Sequence, residues 1–288
     1  MKVLVTGAAG MLGRETFELL DRDPGLEVRG PQRSELDLTD AAAVDAWHGA
    51  HRPDIVVNCA GYTAVDDCET HIDAAYAGNE LAVRNLAHAC ERYGSHLVHV
   101  STDYVFDGTK PEPYTEWDMP NPQSVYGASK LAGERSALSV LGEDCTIVRT
   151  SWVCGRYGNN MVKTVCRLAT QTDSTMRFVS DQRGCPTFAD DLAAMLAKLG
   201  RERRPGVFHV TNQGAVSWYE FVAEIVRQLG VDTTRVEPIT TSELQPPRPA
   251  PRPANSVLDN LALRLSGIEL LPDFREPLAR CLRALDDQ

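Results

Sequence analysis

The chain begins "MKVLVTGAAGMLGRE", residues 1–15, and this stretch decides how the rest is read. Val3, Leu4, Val5 and Thr6 have the makeup of a short buried strand. Gly7, Gly10 and Gly13 then fall three apart, and from Met11 onward Leu12, Phe17 and Leu20 recur at helical spacing toward a sheet. A strand that turns through glycines into a helix aims backbone N–H groups and the positive helix end at one point, which suits a diphosphate. A glycine triplet alone is a weak signal. Here the strand before it and the helix after it supply the context.

Working outward, "LEVRG" (26–30), "DIVVNCAG" (54–61), "HLVHVST" (96–102) and "CTIVRTS" (145–151) read as four further strands. Helical patterns separate them: 40–50 with Asp40 as cap, 73–93, and the segment opened by "SVYGASK" (124–130). Such alternation implies right-handed crossovers and a doubly wound parallel sheet covered on both faces, an α/β fold. After residue 151 the pattern loosens into helices over 158–170, 189–199, 217–229 and 274–286, with short strands near 177–179, 207–210 and 235–239. "LQPPRPAPRPANSVLDN" (244–260) is expected to be an extended loop. No sharp linker is visible. The expected organisation is a dinucleotide-binding core with the catalytic helix over 1–151, and mainly a smaller substrate-binding lobe over 152–288 with some elements returning to the core.

Composition narrows the function classes. At 288 residues the chain is long enough for one large α/β domain with a lobe, and 43% apolar with 24% charged residues is ordinary for a soluble protein. A net charge of −11 argues against a nucleic-acid partner, which needs excess Lys and Arg. No apolar run approaches the ~20 residues of a membrane span, and the opening residues lack the features of a signal peptide. The eight cysteines form no C-x-x-C pair, so reduced, buried thiols in a cytoplasmic protein are expected. The seven histidines show no ligand spacing, and no zinc site is expected.

The second strand runs into "VRGPQR" (28–33) without an acidic residue at its tip to grip a ribose. Arg29 and Arg33 flank that place instead. A guanidinium pairs well with a 2′-phosphate, so NADP(H) is expected over NAD(H), with Arg33 the preferred contact. Asp37 suits the adenine end. At the other end, Tyr126 and Lys130 stand one helical turn apart and share a face. A phenol ionises near pH ~10; a fixed ammonium beside it would favour the phenolate and bring it toward working range. "NCAGYTAVD" (58–66) and "VSTDYVFDG" (100–108) each follow a strand on the same sheet edge, so Thr102 can converge there with Tyr126 and Lys130.

The glycine loop, the hydroxyl residue after the fourth strand and the Y-x-x-x-K helix together resemble the extended short-chain dehydrogenase/reductases. Within them, "STDYVFDG", "YGASKLAGE", "VRTSWV", "GNNMVKT", "DQRGCPT" and "RPANSVLDN" are similar, in order and along nearly the whole chain, to the dTDP-4-dehydrorhamnose reductase family. The resemblance implies a Rossmann-type fold and NADPH-driven reduction, NADH being a second candidate. The substrate implied is the 4-keto group of a dTDP-4-keto-6-deoxyhexose, giving dTDP-L-rhamnose in the usual case. It implies that Tyr126 donates the proton, that Lys130 holds the nicotinamide ribose and lowers the phenol's pKa, and that Thr102 hydrogen-bonds the same carbonyl oxygen. Cofactor contacts are implied at Gly7, Gly10, Met11, Leu12, Gly13, Leu38, Ala60, Gly61 and Tyr62, beside Arg33, Asp37, Tyr126 and Lys130. Substrate contacts are implied at Thr102, Asp103, Trp152, Asn160 and Arg252; Arg252 has no obvious structural role in its loop.

Three features bear on that reading. Tyr104 stands where a sugar-nucleotide dehydratase would show glutamate, which favours simple carbonyl reduction. Cys154 replaces a common aromatic, with consequences expected for the sugar pocket. Some family members dimerise around magnesium, and Glu15 and Asp190 fall near the matching places; lacking a clear third acid, no metal is expected, while a homodimer is compatible with the sequence. Two rivals stand beside the main reading: a 4-ketoreductase for another dTDP-deoxysugar, and a non-catalytic NADP-binding regulatory subunit.

Overall fold

The computed structural model describes residues 1–171 and 174–286. Strands β1 (Lys2–Thr6), β2 (Glu27–Arg29), β3 (Ile55–Asn58), β4 (His96–Thr102), β5 (Cys145–Thr150) and β6 (Gly206–His209) form one sheet. Its order is β6-β5-β4-β3-β1-β2, and every pairing is parallel. Helices α1 (Met11–Asp21), α2 (Ala41–His51), α3 (Ala82–Tyr93), α4 (Val125–Leu141), α5 (Met161–Gln171), α6 (Ala189–Arg201), α7 (Trp218–Gln228) and α8 (Arg275–Asp286) complete the main framework. The expected doubly wound α/β sheet is present. β6 comes from the far side of residue 151 and closes its edge.

The alternation of side chains along each strand separates two cores. Val3, Val5, Ile55, Val57, Val98 and Val148 pack with Leu20 of α1 and Leu192, Leu196 and Leu199 of α6. Leu4, Val56, Leu97 and Ile147 face the other way, onto Val44, Leu86, Cys90, Ala137 and Leu141 from α2, α3 and α4. A third cluster joins α5, α7 and α8 through Val162, Val165, Phe221, Ile225, Phe274 and Leu278. All eight cysteines are free thiols, six buried and two half-buried.

Two local departures from the expected elements have identifiable causes. The helix expected over 73–93 starts at Ile72 and is broken by a π-helical turn over Ala77–Leu81 before α3. That turn rotates Asn79 inward, where its side chain accepts from the Tyr62 N–H at 2.8 Å and donates to the Tyr62 carbonyl and the Ser129 hydroxyl, each at 3.0 Å. π-Turns of this kind gather at functional sites. In α1, the residues expected toward the sheet are joined by buried Glu15 and Thr16, because α6 and the 155–157 loop cover the opposite flank. The 244–260 segment is the expected extended loop. It runs back across the carboxyl edge of the sheet, hydrogen-bonded to Gly108, Tyr114 and Arg183.

Helix α4 is fixed against the sheet by a buried ion pair. Arg149 of β5 donates to Glu134 through Nε at 3.0 Å and through a terminal nitrogen at 2.7 Å, and the Ser101 hydroxyl donates to the same carboxylate. Both side chains are almost fully withdrawn from water. Removing one partner leaves the other's charge buried and unpaired. Glu134→Ala is therefore expected to lower unfolding free energy by about 3–5 kcal/mol, measured in urea, and Glu134→Leu with Arg149→Met to recover most of it. A single-variant loss under about 1 kcal/mol would show that the pair does not hold the helix.

Candidate active site

The glycine turn is built by two close approaches. Gly7 has φ +68°, and a Cβ there would stand 2.8 Å from the Ala60 nitrogen; a Cβ on Gly13 would stand 2.1 Å from the Gly7 carbonyl oxygen. Only glycine lets α1 begin this close to the ends of β1 and β3. Gly10 precedes the helix and donates its N–H to the Gly7 carbonyl at 2.8 Å. Beyond the turn lies a cleft of about 530 Å³, lined by Thr6, Gly7, Ala8, Arg33, Asp37, Leu38, Ala60, Gly61, Tyr62, Ala77 and Gly78 among others. It sits where the chain reverses its order across the sheet, between β1 and β3, the usual ligand crevice of an open parallel sheet. Its depth, its bare glycine backbone and its helix end fit a dinucleotide. Met11 and Leu12 lie outside the lining: Leu12 packs into the core, and the Met11 sulfur lies 3.9 Å from the Asn160 amide.

The structure separates the two candidate arginines. Arg29 is paired with Glu27 at 2.9 Å on β2, whereas Arg33 lines the cleft with its side chain 84% exposed and only a 3.9 Å contact to Asp37. Asp37 is held by the Thr39 N–H and hydroxyl, whose hydrogen bonds keep its carboxyl below the usual range.

At the other end, β4 delivers Thr102, the short 3-10 turn after it delivers Asp103, and α4, capped by Ser124, delivers Tyr126 and Lys130. All four are buried. Burial pushes the Tyr126 phenol well above its ordinary pKa; the neighbouring Thr102 hydroxyl pulls the other way, and the charges of Asp103 and Tyr104 add to the rise. Asp103 accepts from the Thr102 hydroxyl at 3.0 Å through Oδ1, while Oδ2 is buried without a partner. Burial raises this carboxyl to about 6, against the pull of the nearby Ser256 and Thr102 hydroxyls. Burial likewise lowers Lys130 to about 8. Its ammonium group donates to the Val100 carbonyl at 2.6 Å, and its nitrogen lies 3.8 Å from the place a Gly61 Cβ would occupy. Lys130 thus stands next to Gly61, outside the cleft's lining, and is turned toward the strand, so burial and nearer neighbours set the ionisation of the phenol.

The remaining candidates find partners that sequence reading did not anticipate. Trp152, at φ +47°, stacks flat on Trp218 with ring centres 3.6 Å apart and planes 8° from parallel. Trp218, first residue of α7, carried no sequence signal of its own. Arg252, contrary to expectation, has a structural role. It is bound through two nitrogens to Asp66, which also accepts from the Ala250 N–H. That pair clips the proline-rich loop to the segment after β3 and brings Arg252 beside Tyr104 and Ser124 around a small recess. Asn160 spends its amide on the Gly155 and Tyr157 carbonyls and its oxygen on the Lys163 N–H. Cys154 is buried in the α5–α7 core, in the cluster against which Trp152 packs. Glu15 is paired with Arg156, and Asp190 with Arg280. Asn79 and His99, both buried against the site, were also missed, because what they bind is far away in sequence.

A glycine-turned crevice at the sheet's reversal point, with a tyrosine–lysine helix and a strand-end threonine beside it, defines an oxidoreductase of the extended short-chain dehydrogenase/reductase class. Comparison with known proteins agrees. The profile of the RmlD substrate binding domain family matches residues 1–286, and the chain belongs to that family. A dTDP-4-dehydrorhamnose reductase of Streptomyces griseus is 45% identical over 98% of this chain and 93% of its own length. A protein of Streptomyces antibioticus described as a probable dTDP-4,6-dihydroxy-2-methyloxan-3-one 4-ketoreductase is 42% identical, covering 96% of this chain and 93% of its own. The crystal structure of dTDP-4-dehydrorhamnose reductase from Bacillus anthracis in complex with NADP superposes with a TM-score of 0.92 at 38% identity, covering 98% of each chain. Among the described residues no helix is long and apolar enough to cross a membrane.

The buried carboxyl of Asp103 has a measurable consequence. Unfolded, it ionises near pH ~3.9; folded, near 6. Between those values the folded protein keeps a proton that the unfolded chain has released, so this group's contribution to stability falls as pH rises from about 4 to 6 and stays low above. Asp103→Asn is expected to gain up to about 3 kcal/mol over wild type near pH ~7.5 and much less near pH ~4. Denaturant unfolding at both pH values checks it. An equal difference at both would mean that ionising Asp103 costs the fold nothing.

Proposed function

We propose that the chain is an NADPH-dependent reductase of the 4-keto group of a dTDP-4-keto-6-deoxyhexose, with dTDP-4-dehydro-L-rhamnose as substrate and dTDP-L-rhamnose as product. The observation that carries this reading is the meeting of two features at one sheet edge: the glycine-turned cleft, and the Tyr126 phenol with Thr102 beside it. The names of the family relatives support the substrate class, and the Bacillus anthracis complex supports the cofactor.

When bound, the reduced nicotinamide supplies a hydride to the carbonyl carbon. Everything else falls to the protein. Tyr126 holds its proton firmly, since burial disfavours the phenolate, until negative charge grows on a carbonyl oxygen within reach. Thr102 hydrogen-bonds that oxygen and steadies the charge with it. Lys130, from its place beside Gly61, holds ribose hydroxyls and favours the tyrosinate once the proton has gone. Arg33 meets a 2′-phosphate at the cleft mouth, Asp37 and Leu38 face the adenosine, and Gly7, Ala60 and Tyr62 line the way between. On the substrate side, chiefly residues 152–288, Trp152 packs against the hexose on the support of Trp218. Arg252 contributes to the diphosphate, Asp103 to a sugar hydroxyl, and Asn160 keeps the 155–160 loop beside Met11. A second reading, reduction of a different dTDP-linked 4-keto sugar, is favoured by the 42% identity to the Streptomyces antibioticus protein.

Two outcomes test the proposal. With NADPH and dTDP-4-dehydro-L-rhamnose the protein should oxidise NADPH, and NMR of the product reports the configuration at the reduced carbon. Tyr126→Phe should lower kcat by about 10²–10⁴ with NADPH affinity unchanged; a variant keeping most of the rate would remove Tyr126 as proton donor. Separately, Arg33→Ala should cut the ratio of NADPH to NADH affinity by roughly 10- to 100-fold, the worth of a charged hydrogen bond. An unchanged ratio would relocate the 2′-phosphate contact.

A further inference from the structure

Thr6, Asn58, His99 and Lys130 stand in a line beneath the carboxyl edge, running from β1 through β3 and β4 to α4. The direction of each hydrogen bond along it can be settled. The backbone N–H of Ala60 can only donate, and it gives to Asn58 Oδ1 at 3.1 Å; the Thr6 hydroxyl gives to the same oxygen at 2.6 Å. Asn58 Nδ2 is therefore the atom facing His99 Nδ1, 3.0 Å away, and it too can only donate. His99 Nδ1 must be bare. A neutral ring then carries its proton on Nε2, and Nε2 faces the Lys130 nitrogen at 3.5 Å, while Lys130 itself donates to the Val100 carbonyl.

An imidazole N–H aimed at an ammonium is repulsive; aimed at the lone pair of an amine it is a hydrogen bond. His99 cannot escape by taking a second proton, because a donor already occupies Nδ1. It is also fully buried, and burial and then Lys130 hold its pKa well below the usual value. The other groups facing Lys130 do not reverse the balance. Glu134, one turn on along α4, favours the ammonium but is shared with Arg149 and Ser101. The Cys59 thiol, raised by burial to about 12, is uncharged, and so is the Tyr126 phenol one turn back.

We propose that His99 is a positioning residue whose Nε2–H, facing the Lys130 nitrogen where it is seated on the Val100 carbonyl, loosens the lysine's proton in the nucleotide-free protein. The inference rests on the reductase reading for its bearing on catalysis, but not for its test.

Nitrogen-15 NMR of the nucleotide-free protein supplies that test. His99 is expected to show a pyridine-type Nδ1 and a pyrrole-type Nε2 across neutral pH. The chain has five lysines, Lys2, Lys110, Lys130, Lys163 and Lys198, and loss of one signal in Lys130→Met assigns the one of interest. Lys130 should hold its proton at least roughly tenfold more weakly than the other four, a shift of about one pKa unit. Asn58→Asp, which demands a proton from Nδ1, should move the His99 proton there and tighten the Lys130 proton by about tenfold or more. A protonated Nδ1 in the wild type, or Lys130 titrating with the other lysines, overturns the proposal, and this holds even if Asn58→Asp fails to fold. NADPH oxidation by the wild type is followed alongside. The expected tautomer without turnover supports the resting state and sinks the reductase reading; turnover with the opposite tautomer sinks the inference alone.

Discussion

Asp103, Tyr126, Lys130 and His99 carry ionisable groups that the fold has almost wholly withdrawn from water at one edge of the sheet. Desolvation is the largest influence on each of them, and it always acts in favour of the uncharged form. The carboxyl and phenol are driven up, the amine and imidazole down. A site built this way stores little net charge at rest and responds strongly when charge develops, since each hydrogen bond acts in a poorly screened environment. That property suits a reaction in which an alkoxide appears briefly and is quenched by a proton.

Such a site needs a rigid frame, because polar groups without water must find their partners in the protein. Helix α4 obtains its rigidity from two places along its length: Ser124 caps its start, and the Glu134–Arg149 pair ties its middle to β5. Asn79, turned inward by the π-helical segment, bonds both the loop after β3 and Ser129 on α4, so the cleft and the helix carrying Tyr126 and Lys130 share one support. The Asp66–Arg252 pair plays a comparable part beyond β3, clipping a loop from late in the chain onto a segment from early in it. The recess by Tyr104 exists only because these distant segments meet.

Much of this was legible beforehand where the signal is local. The β-branched runs, the glycines of the first turn and the Y-x-x-x-K spacing each encode geometry within a few residues, and the elements formed close to where they were expected. Arg29 and Arg33 could both be singled out from their place at a strand tip, but only the fold shows that Arg33 lines the cleft while Glu27 occupies Arg29. Trp218, Asn79 and His99 could not be named. Nothing near them in sequence marks their purpose, and their partners lie at separations no periodicity can report. Arg252 was misjudged as idle structurally for the same reason: Asp66 lies far upstream.

The sequence by itself determined the order of strands and helices, the glycine turn and the one-turn spacing of Tyr126 and Lys130, because steric freedom at glycine and the spacing of residues along a helix or strand act over single turns and strands. Only the tertiary structure decided which charges the site keeps. Whether Lys130 or Asp103 is ionised depends on how much water remains and on which donors and acceptors neighbouring strands present. Those are properties of segments brought together from across the chain.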